Sequence, residues 1–160
     1  MKFCCLCVPL LAALSCSAAA DFQFKKDFLK RLVQQVPGIL GSQDTQTGRF
    51  GTSPWICTDQ NVIYPLAVAW ATRSDDNPFF HDPRVLDAIM AGGDALIEAQ
   101  DKNGMWRFDK KDGSFWGMIY MPWTYSRWAR AYSLIRDAMP EQLRKRWEDA
   151  LTLGYSGIAA

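Results

Sequence analysis

The chain contains 160 residues with 18 basic and 17 acidic side chains, so its formal net charge is close to zero. A nucleic-acid-binding protein would show an excess of lysine and arginine, and we therefore expect no nucleic-acid partner. Aromatic residues are numerous, with seven tryptophans, nine phenylalanines and five tyrosines, and several lie in polar, glycine-containing stretches. Aromatic side chains in such loops indicate a role beyond core packing.

The first 20 residues have the pattern of a secretory signal peptide. Lys2 precedes an apolar run from Phe3 to Leu14, and three alanines at 18–20 form a small-residue cleavage site. The apolar run is too short to remain as a membrane span. We expect a mature domain at residues 21–160 and a secreted or periplasmic location. The alternative is a lipid anchor on Cys16, as in bacterial lipoproteins.

The chain has five cysteines, and after removal of this segment only Cys57 remains. A single thiol forms no internal disulfide, and a metal site built on several cysteines is excluded. His81 is the only histidine, and we expect it to make local hydrogen bonds in a turn-rich loop. No metal or cofactor is predicted. The acidic residues of "DKNGMWRFDKKDG" suggest a calcium ion as an alternative, although their spacing does not follow the helix-loop-helix calcium pattern.

Apolar spacing predicts a first helix from Asp21 to Val36, ended by Pro37 and Gly38. The segment "NVIYPLAVAWA" is apolar on nearly every side, which is typical of a helix covered by neighbours. Its Pro65 either opens this helix or kinks it.

A third helix is predicted to begin with Asp82 as its N-cap and Pro83 in its first turn. Gly92 and Gly93 weaken its middle, and the close approach of a neighbouring helix would explain them. The aromatic segment from Trp116 onward and the segment from Pro140 predict two more helices. No strand is predicted anywhere in the chain.

Two loop sequences, "QDTQTGRFG" and "QDKNGMWRF", occupy the same place relative to these helices. Three residue pairs are each 57 positions apart: Gln43 and Gln100, Asp44 and Asp101, and Pro65 and Pro122. In each unit a one-sided helix leads into the Gln-Asp loop and then into a more apolar helix. This pattern indicates an internal repeat of a helical hairpin and predicts an all-α fold with outer and inner helices.

With these loops, and with "WICTDQNVIYPLA" and "WGMIYMPWTY", the chain resembles the (α/α) toroid enzymes. It is most similar to polysaccharide lyases of the alginate, glucuronan and pectate type and to related uronyl hydrolases. The resemblance covers the chain from Phe22 onward and implies helical hairpin repeats that form part of an (α/α) toroid. We expect the ring to be incomplete, because few hairpins are present and "LGYSGIAA" lacks a capping sequence.

The spacing in "QDKNGMW" is also similar to a structural motif of the triterpene cyclases. The chain lacks the Asp-rich acid motif of those enzymes, so we disfavour a cyclase. The toroid resemblance further implies a cleft formed by the loops at residues 43–64 and 100–123. These loops contain the aromatic residues Phe50, Trp55, Trp106, Phe108, Phe115, Trp116, Tyr120 and Trp123.

A saccharide cleft needs aromatic platforms with polar groups beside them, because sugar rings have flat apolar faces and rims of hydroxyls. The predicted substrate-binding residues have this character and are Trp55, Gln60, Asn61, Trp116, Trp123 and Arg127. The alternative is that the aromatic residues only seal adjacent hairpins, which we favour for Trp106 and Phe108.

Cleavage of a uronate polymer by β-elimination needs a base and a group that neutralises the sugar carboxylate. Tyr120 or Tyr125 is the predicted base, and the predicted neutralising group is Gln60, Asn61 or Arg127. Asp59 is the candidate acid of a hydrolase, which would need a second carboxylate, or it caps a helix.

We therefore predict a secreted lyase that cleaves a uronate-containing polysaccharide. A toroid glycoside hydrolase and a non-catalytic helical carbohydrate-binding protein are the alternatives. The lyase would release unsaturated uronyl ends, the hydrolase would release only new reducing ends, and the binding protein would do neither.

Overall fold

The computed structural model describes the chain from residue 9 to residue 160, with side chains from residue 23 onward. The signal peptide and the lipid anchor on Cys16 therefore stay predictions, because residues 1–8 and the side chain of Cys16 lie outside the described residues. The described chain is mostly helical. Its elements are α1 (Pro9–Gly41), α2 (Ile63–Ala71), α3 (Pro83–Ala99), β1 (Trp106–Asp109), β2 (Phe115–Ile119), α4 (Pro122–Ile135) and α5 (Glu141–Ala159).

Helices α2 and α4 lie at the centre of this arrangement. Helix α2 is apolar as predicted, whereas α4 is less apolar than α3, so the predicted order of a one-sided and a more apolar helix is wrong for the second unit. Helix α2 packs against α1, α3 and α4, whereas α4 packs against α2, α3 and α5. The core between them is rich in large side chains, and its fully buried members include Trp106, Tyr125, Trp128 and Trp147. Burial of such rings is the main source of stability in a domain of this size. No helix in the described part of the chain has the length and apolar character needed to cross a membrane.

Several predicted helix boundaries are confirmed. The Asp82 side chain accepts a hydrogen bond from the Arg84 backbone N–H at 2.9 Å, and Pro83 is the first residue of α3. Pro65 lies in the first turn of α2, directly after a 3-10 helix at Cys57–Val62, so it opens this helix.

The prediction that Pro37 and Gly38 end the first helix is wrong. Helix α1 continues through Pro37 to Gly41. Pro37 is exposed, whereas Ile39 and Leu40 beyond it pack against the core. The contacts of this last turn compensate for the hydrogen bond that a proline cannot donate.

The prediction of an entirely strand-free chain is also wrong. Strands β1 and β2 form an antiparallel hairpin in which Trp106 pairs with Ile119 and Arg107 with Met118. Its turn closes with a hydrogen bond from the Lys110 N–H to the Ser114 carbonyl at 2.8 Å. Gly113 in that turn has φ +84°, a conformation that glycine adopts without strain.

Candidate functional site

The first Gln-Asp loop forms a hydrogen-bonded turn at the end of α1. The Gln43 side-chain amide donates to the Gly48 carbonyl at 3.1 Å and to the Ala88 carbonyl of α3 at 2.9 Å. Asp44 accepts from the backbone N–H groups of Gln46 and Thr47. These bonds fix the start of the loop against α3.

The second Gln-Asp loop has a closely similar arrangement at the end of α3. The Gln100 amide donates to the Ala150 carbonyl of α5 at 3.0 Å, and Asp101 accepts from the N–H groups of Asn103 and Met105. Gly104 has a positive φ of +84° and would collide with Gly154 of α5 if it carried a Cβ. The repeated sequence thus places both loops on the same side of the helices.

The Gln60 side chain is hydrogen-bonded to the part of the first loop from Gly48 to Trp55. Its side chain has no exposed surface. Its Oε1 accepts from the Phe50 backbone N–H at 2.7 Å and from Trp55 Nε1 at 3.2 Å, while Nε2 donates to the carbonyls of Gly48 and Gly92. The predicted role of Gln60 in substrate binding is therefore corrected. Gln60 shapes the loop and has no polar group left for a ligand.

A groove lies between this loop and the β-hairpin. One part of it is a depression of about 260 Å³ lined by Arg49, Trp55, Ala99, Arg107 and Asp109, which we call the arginine depression. A second depression of about 240 Å³ shares Arg49 and Trp55 with the first. Of the predicted site residues, Trp55 is the one that lines both depressions.

Each arginine of the groove lies over an aromatic ring. The Arg49 guanidinium is 4.5 Å from the centre of the Trp55 ring, and that of Arg107 is 4.4 Å from the Phe115 ring. Such stacking holds a guanidinium in place while leaving its N–H groups open to a ligand.

The two arginines differ in their ion pairing. Arg107 pairs with Asp109, with Nε 2.8 Å from the carboxylate oxygen, whereas Arg49 has no ion pair among the described residues. Two guanidinium groups against one carboxylate leave the arginine depression with a positive balance. An anion of suitable shape is therefore favoured there.

Asp59 does not line either depression and is held by two partners. Its carboxylate accepts from the Ile56 N–H at 3.2 Å, which stabilises the start of the 3-10 helix, and it pairs with Lys111 at 2.8 Å. The Lys111 ammonium also donates to the Pro54 carbonyl at 3.2 Å. Asp59 is not the N-cap that the alternative predicted, because the N-cap is Ile56 and Asp59 is the third residue of the 3-10 helix. Its carboxylate bonds back to the N–H of that N-cap residue. A hydrolase acid is also a poor description, because the carboxylate is already hydrogen-bonded and ion-paired.

Replacing Lys111 by methionine removes the ion pair that links the hairpin turn to Asp59. The free energy of unfolding is expected to fall by less than about 1 kcal/mol, because the Lys111 side chain is exposed. A double-mutant cycle with Asp59→Asn measures the coupling, which we expect to shrink as salt is added. Lys110→Met is the matched control, since Lys110 makes no ion pair in the described part of the chain. Equal effects of the two lysine substitutions would contradict the Lys111 bridge.

The two candidate tyrosines lie outside the groove. Tyr125 has no exposed surface, and its hydroxyl donates to the Gly104 carbonyl and lies 2.6 Å from the Gln100 amide. Burial raises the pKa of Tyr125 to about 12. Its predicted role as a base is corrected, because a buried phenol with a raised pKa neither reaches a substrate nor ionises readily.

Tyr120 follows β2 at the base of the hairpin. Its hydroxyl donates to the Asn103 carbonyl at 3.1 Å and lies beside Gly157 of α5. Lys111 lies in the turn, at the opposite end of the hairpin. Tyr120 is not among the residues that line the two depressions.

The remaining predicted substrate-binding residues also lie outside the lining of the groove. Trp116 and Trp123 are more than half exposed, and Trp116 meets the Phe108 ring edge-on. Arg127 donates to the Trp123 carbonyl at 3.2 Å. Asn61 is partly buried, and its Oδ1 has no hydrogen-bond partner among the described residues.

The alternative calcium site is not assembled. The carboxylates of its sequence are held separately, Asp101 by its own turn, Asp109 by Arg107 and Asp112 by Ser114. The residues from 23 onward contain no group of three or more potential ligands close enough to hold a metal ion. His81 forms a backbone hydrogen bond to the Trp70 carbonyl, and its ring stacks on those of Trp70 and Phe80.

The residues that sequence reasoning missed are Arg49, Arg107 and Lys111. A signal for two of them was present, because each Gln-Asp loop contains an Arg-Phe pair, at 49–50 and at 107–108. In both pairs the phenylalanine is at least partly buried and the arginine is exposed, which places the cation at the surface of the groove.

No family model, curated protein or solved structure matches this chain.

Proposed function

We propose that the protein binds a uronate-containing polysaccharide in the groove and acts in the breakdown of that polymer outside the cytoplasm. The observation that carries the proposal is the pair of stacked arginines, Arg49 and Arg107, around one depression with Trp55 in its wall. A uronate combines a carboxylate with a sugar ring. Arginine binds the first with two parallel hydrogen bonds, and an indole face packs against the second.

β-Elimination is the reaction that we propose for this polymer, in line with the resemblance to toroid polysaccharide lyases. The similar hydrogen bonding of the two Gln-Asp turns supports the related proposal that the hairpins are units of an (α/α) toroid. Tyr120 stays the candidate base because it is only partly buried, although it does not line the two depressions. A polymer bound in the groove would therefore have to extend to Tyr120 for the reaction to occur.

A non-catalytic carbohydrate-binding role is the second candidate. The observation that favours it is that the described lining of the two depressions contains no tyrosine, histidine or lysine. A base for proton abstraction would have to be within hydrogen-bond reach of the bound sugar. A hydrolase remains the third candidate and would need a pair of carboxylates at a suitable separation.

Replacing Arg49 or Arg107 by methionine is expected to weaken the binding of a uronate oligosaccharide by about tenfold or more, because a hydrogen bond to a charged group contributes about 1.5–3 kcal/mol. Titration calorimetry at low and at physiological salt measures the loss. Arg84→Met is the matched control, because Arg84 is an exposed arginine that pairs with Asp82. Unchanged affinity in the Arg49→Met, Arg107→Met double variant would refute the proposed site.

The three candidate activities differ in their products. A lyase generates unsaturated uronyl ends that absorb ultraviolet light, and we expect this absorbance to fall in Tyr120→Phe while the binding affinity is retained. New reducing ends without the absorbance would instead identify a hydrolase. Binding without either product would identify a carbohydrate-binding protein.

A further inference from the structure

The two depressions of the groove have different chemical linings. The arginine depression contains two guanidinium groups and the Asp109 carboxylate. The other contains Asp44 and three hydroxyl side chains, and we call it the hydroxyl depression. Its lining consists of Asp44, Thr47, Arg49, Phe50, Gly51, Thr52, Ser53 and Trp55.

Both depressions are small, at about 240 and 260 Å³. These volumes lie below the range of about 300–1,000 Å³ that is typical of pockets for drug-sized ligands, and a single sugar ring suits them. Arg49 and Trp55 form the wall that both depressions share. Two neighbouring sugar residues of one chain therefore fit on the two sides of the same stacked pair.

The charges on the two sides of this wall are unequal. Arg107 adds a second cation to the arginine depression, whereas Asp44 supplies a carboxylate to the hydroxyl depression. The turn holds that carboxylate in place, because Asp44 Oδ1 accepts from the Gln46 N–H at 2.8 Å and from the Thr47 N–H at 3.2 Å. A uronate in the hydroxyl depression would face a fixed like charge, which opposes its binding.

The hydroxyls of Thr52 and Ser53 both donate and accept hydrogen bonds, so they complement the hydroxyl rim of an uncharged sugar. Both residues are exposed. The planar guanidinium of Arg49 can bind one carboxylate with two parallel hydrogen bonds. Arg107 lines only the arginine depression, so its positive charge favours the carboxylate on that side.

We infer that the groove binds two adjacent sugars of different charge, with a uronate in the arginine depression and an uncharged sugar in the hydroxyl depression. This inference rests on the proposed function and specifies its substrate class. The preferred polymer is one in which uronate and neutral residues are neighbours, rather than a polymer of uronate alone.

Calorimetric titration with three tetrasaccharides of equal length tests the inference. One consists of uronate residues only, one alternates uronate with a neutral sugar, and one is fully neutral. The alternating tetrasaccharide is expected to bind about tenfold more tightly than the uronate tetrasaccharide, because the latter places a carboxylate against Asp44. The neutral tetrasaccharide is expected to bind most weakly.

Two substitutions separate the depressions. Asp44→Asn keeps an acceptor for the turn and is expected to raise the affinity for the uronate tetrasaccharide until the preference for the alternating one is lost. Thr52→Val removes a hydroxyl at similar volume and is expected to weaken only the alternating and neutral ligands. Asp75→Asn, in an exposed loop, is the control for a general change of charge, and thermal melting verifies that each variant is folded.

The outcomes distinguish this inference from the proposed function. Equal or tighter binding of the uronate tetrasaccharide by the unmodified protein overturns the two-sugar inference and leaves the uronate site in place. The inference is also overturned if the Asp44→Asn variant still binds the alternating tetrasaccharide more tightly than the uronate tetrasaccharide. Absence of binding for all three ligands overturns the proposed function, and the inference with it.

Discussion

Replacing Gly93 by alanine is expected to lower the free energy of unfolding by about 3 kcal/mol, the upper end of the usual range for overpacking. A Cβ at this position would lie 1.9 Å from Trp147 Cζ2 and 2.4 Å from Cη2. Trp147 is fully buried, and its ring meets that of Trp128 at 5.6 Å. Because the indole is fully buried and packed on Trp128, we expect α3 and α5 to separate.

Gly38→Ala provides the matched control for Gly93. Gly38 is also helical, and a Cβ there would meet no atom within 4 Å. Alanine is expected to stabilise α1 by about 0.5–1 kcal/mol, since glycine loses more backbone entropy on folding. Both substitutions replace a helical glycine by alanine. Opposite changes in the free energy of unfolding would therefore show that the loss at Gly93 comes from the contact between α3 and α5. Urea denaturation with a common m-value measures both changes.

A second substitution tests the cause of the Gly93 effect. Trp147→Phe removes part of the ring that the new methyl group would meet, so it should offset part of the cost of Gly93→Ala in the double variant. The coupling between the two sites is expected to favour the double variant over the sum of the single changes. Additive effects, or a Gly93→Ala variant as stable as the unmodified protein, would contradict the packing of Gly93 on Trp147.

The helical part of the fold was predictable because its signals are local. The preference of Asp82 for an N-cap and of Pro83 for the first turn depends little on the rest of the fold. The structure has both residues in these positions. The glycine pair at 92–93 correctly indicated a close helix contact. The sequence could not identify the partner as Trp147, because that contact joins residues far apart in the chain.

The failures involve competition between local and tertiary signals. Pro37 is a strong local stop, but the contacts of Ile39 and Leu40 with the core continue α1 beyond it. The Asp112-Gly113 pair is a hairpin signal that the aromatic residues around it obscured. Strands of four and five residues are too short to show a clear alternating pattern.

The candidate site was predictable only in part. Trp55 was identified because an aromatic residue in a polar loop needs an explanation. Tyr125 was predicted as a base from the chemistry of its phenol, yet α4 places it in the core, where its hydroxyl links Gly104 to Gln100. Sequence spacing gives the face of a helix, but burial of that face depends on which neighbours pack against it.

Replacing Gln60 by leucine is expected to lower the free energy of unfolding by about 3 kcal/mol and to abolish measurable binding at the groove. Leucine preserves much of the volume but leaves the buried Phe50 N–H and the Trp55 Nε1–H without their acceptor. Each buried polar group that loses its partner costs about 1–3 kcal/mol. Trp55 also loses the bond that orients its ring beneath Arg49, so the site should be affected together with stability.

Two measurements separate these consequences. Urea denaturation gives the loss of stability, and calorimetry with the uronate oligosaccharide, at a temperature where the variant is folded, gives the loss of affinity. Gln34→Leu is the control, because Gln34 is exposed on α1 and its replacement should change stability by no more than about 0.5 kcal/mol. If Gln60→Leu keeps full affinity, the orientation of Trp55 does not depend on Gln60 and the buried amide supports only the fold. If affinity falls while the folded fraction is unchanged, Gln60 positions the aromatic wall of the groove from a place that no ligand reaches.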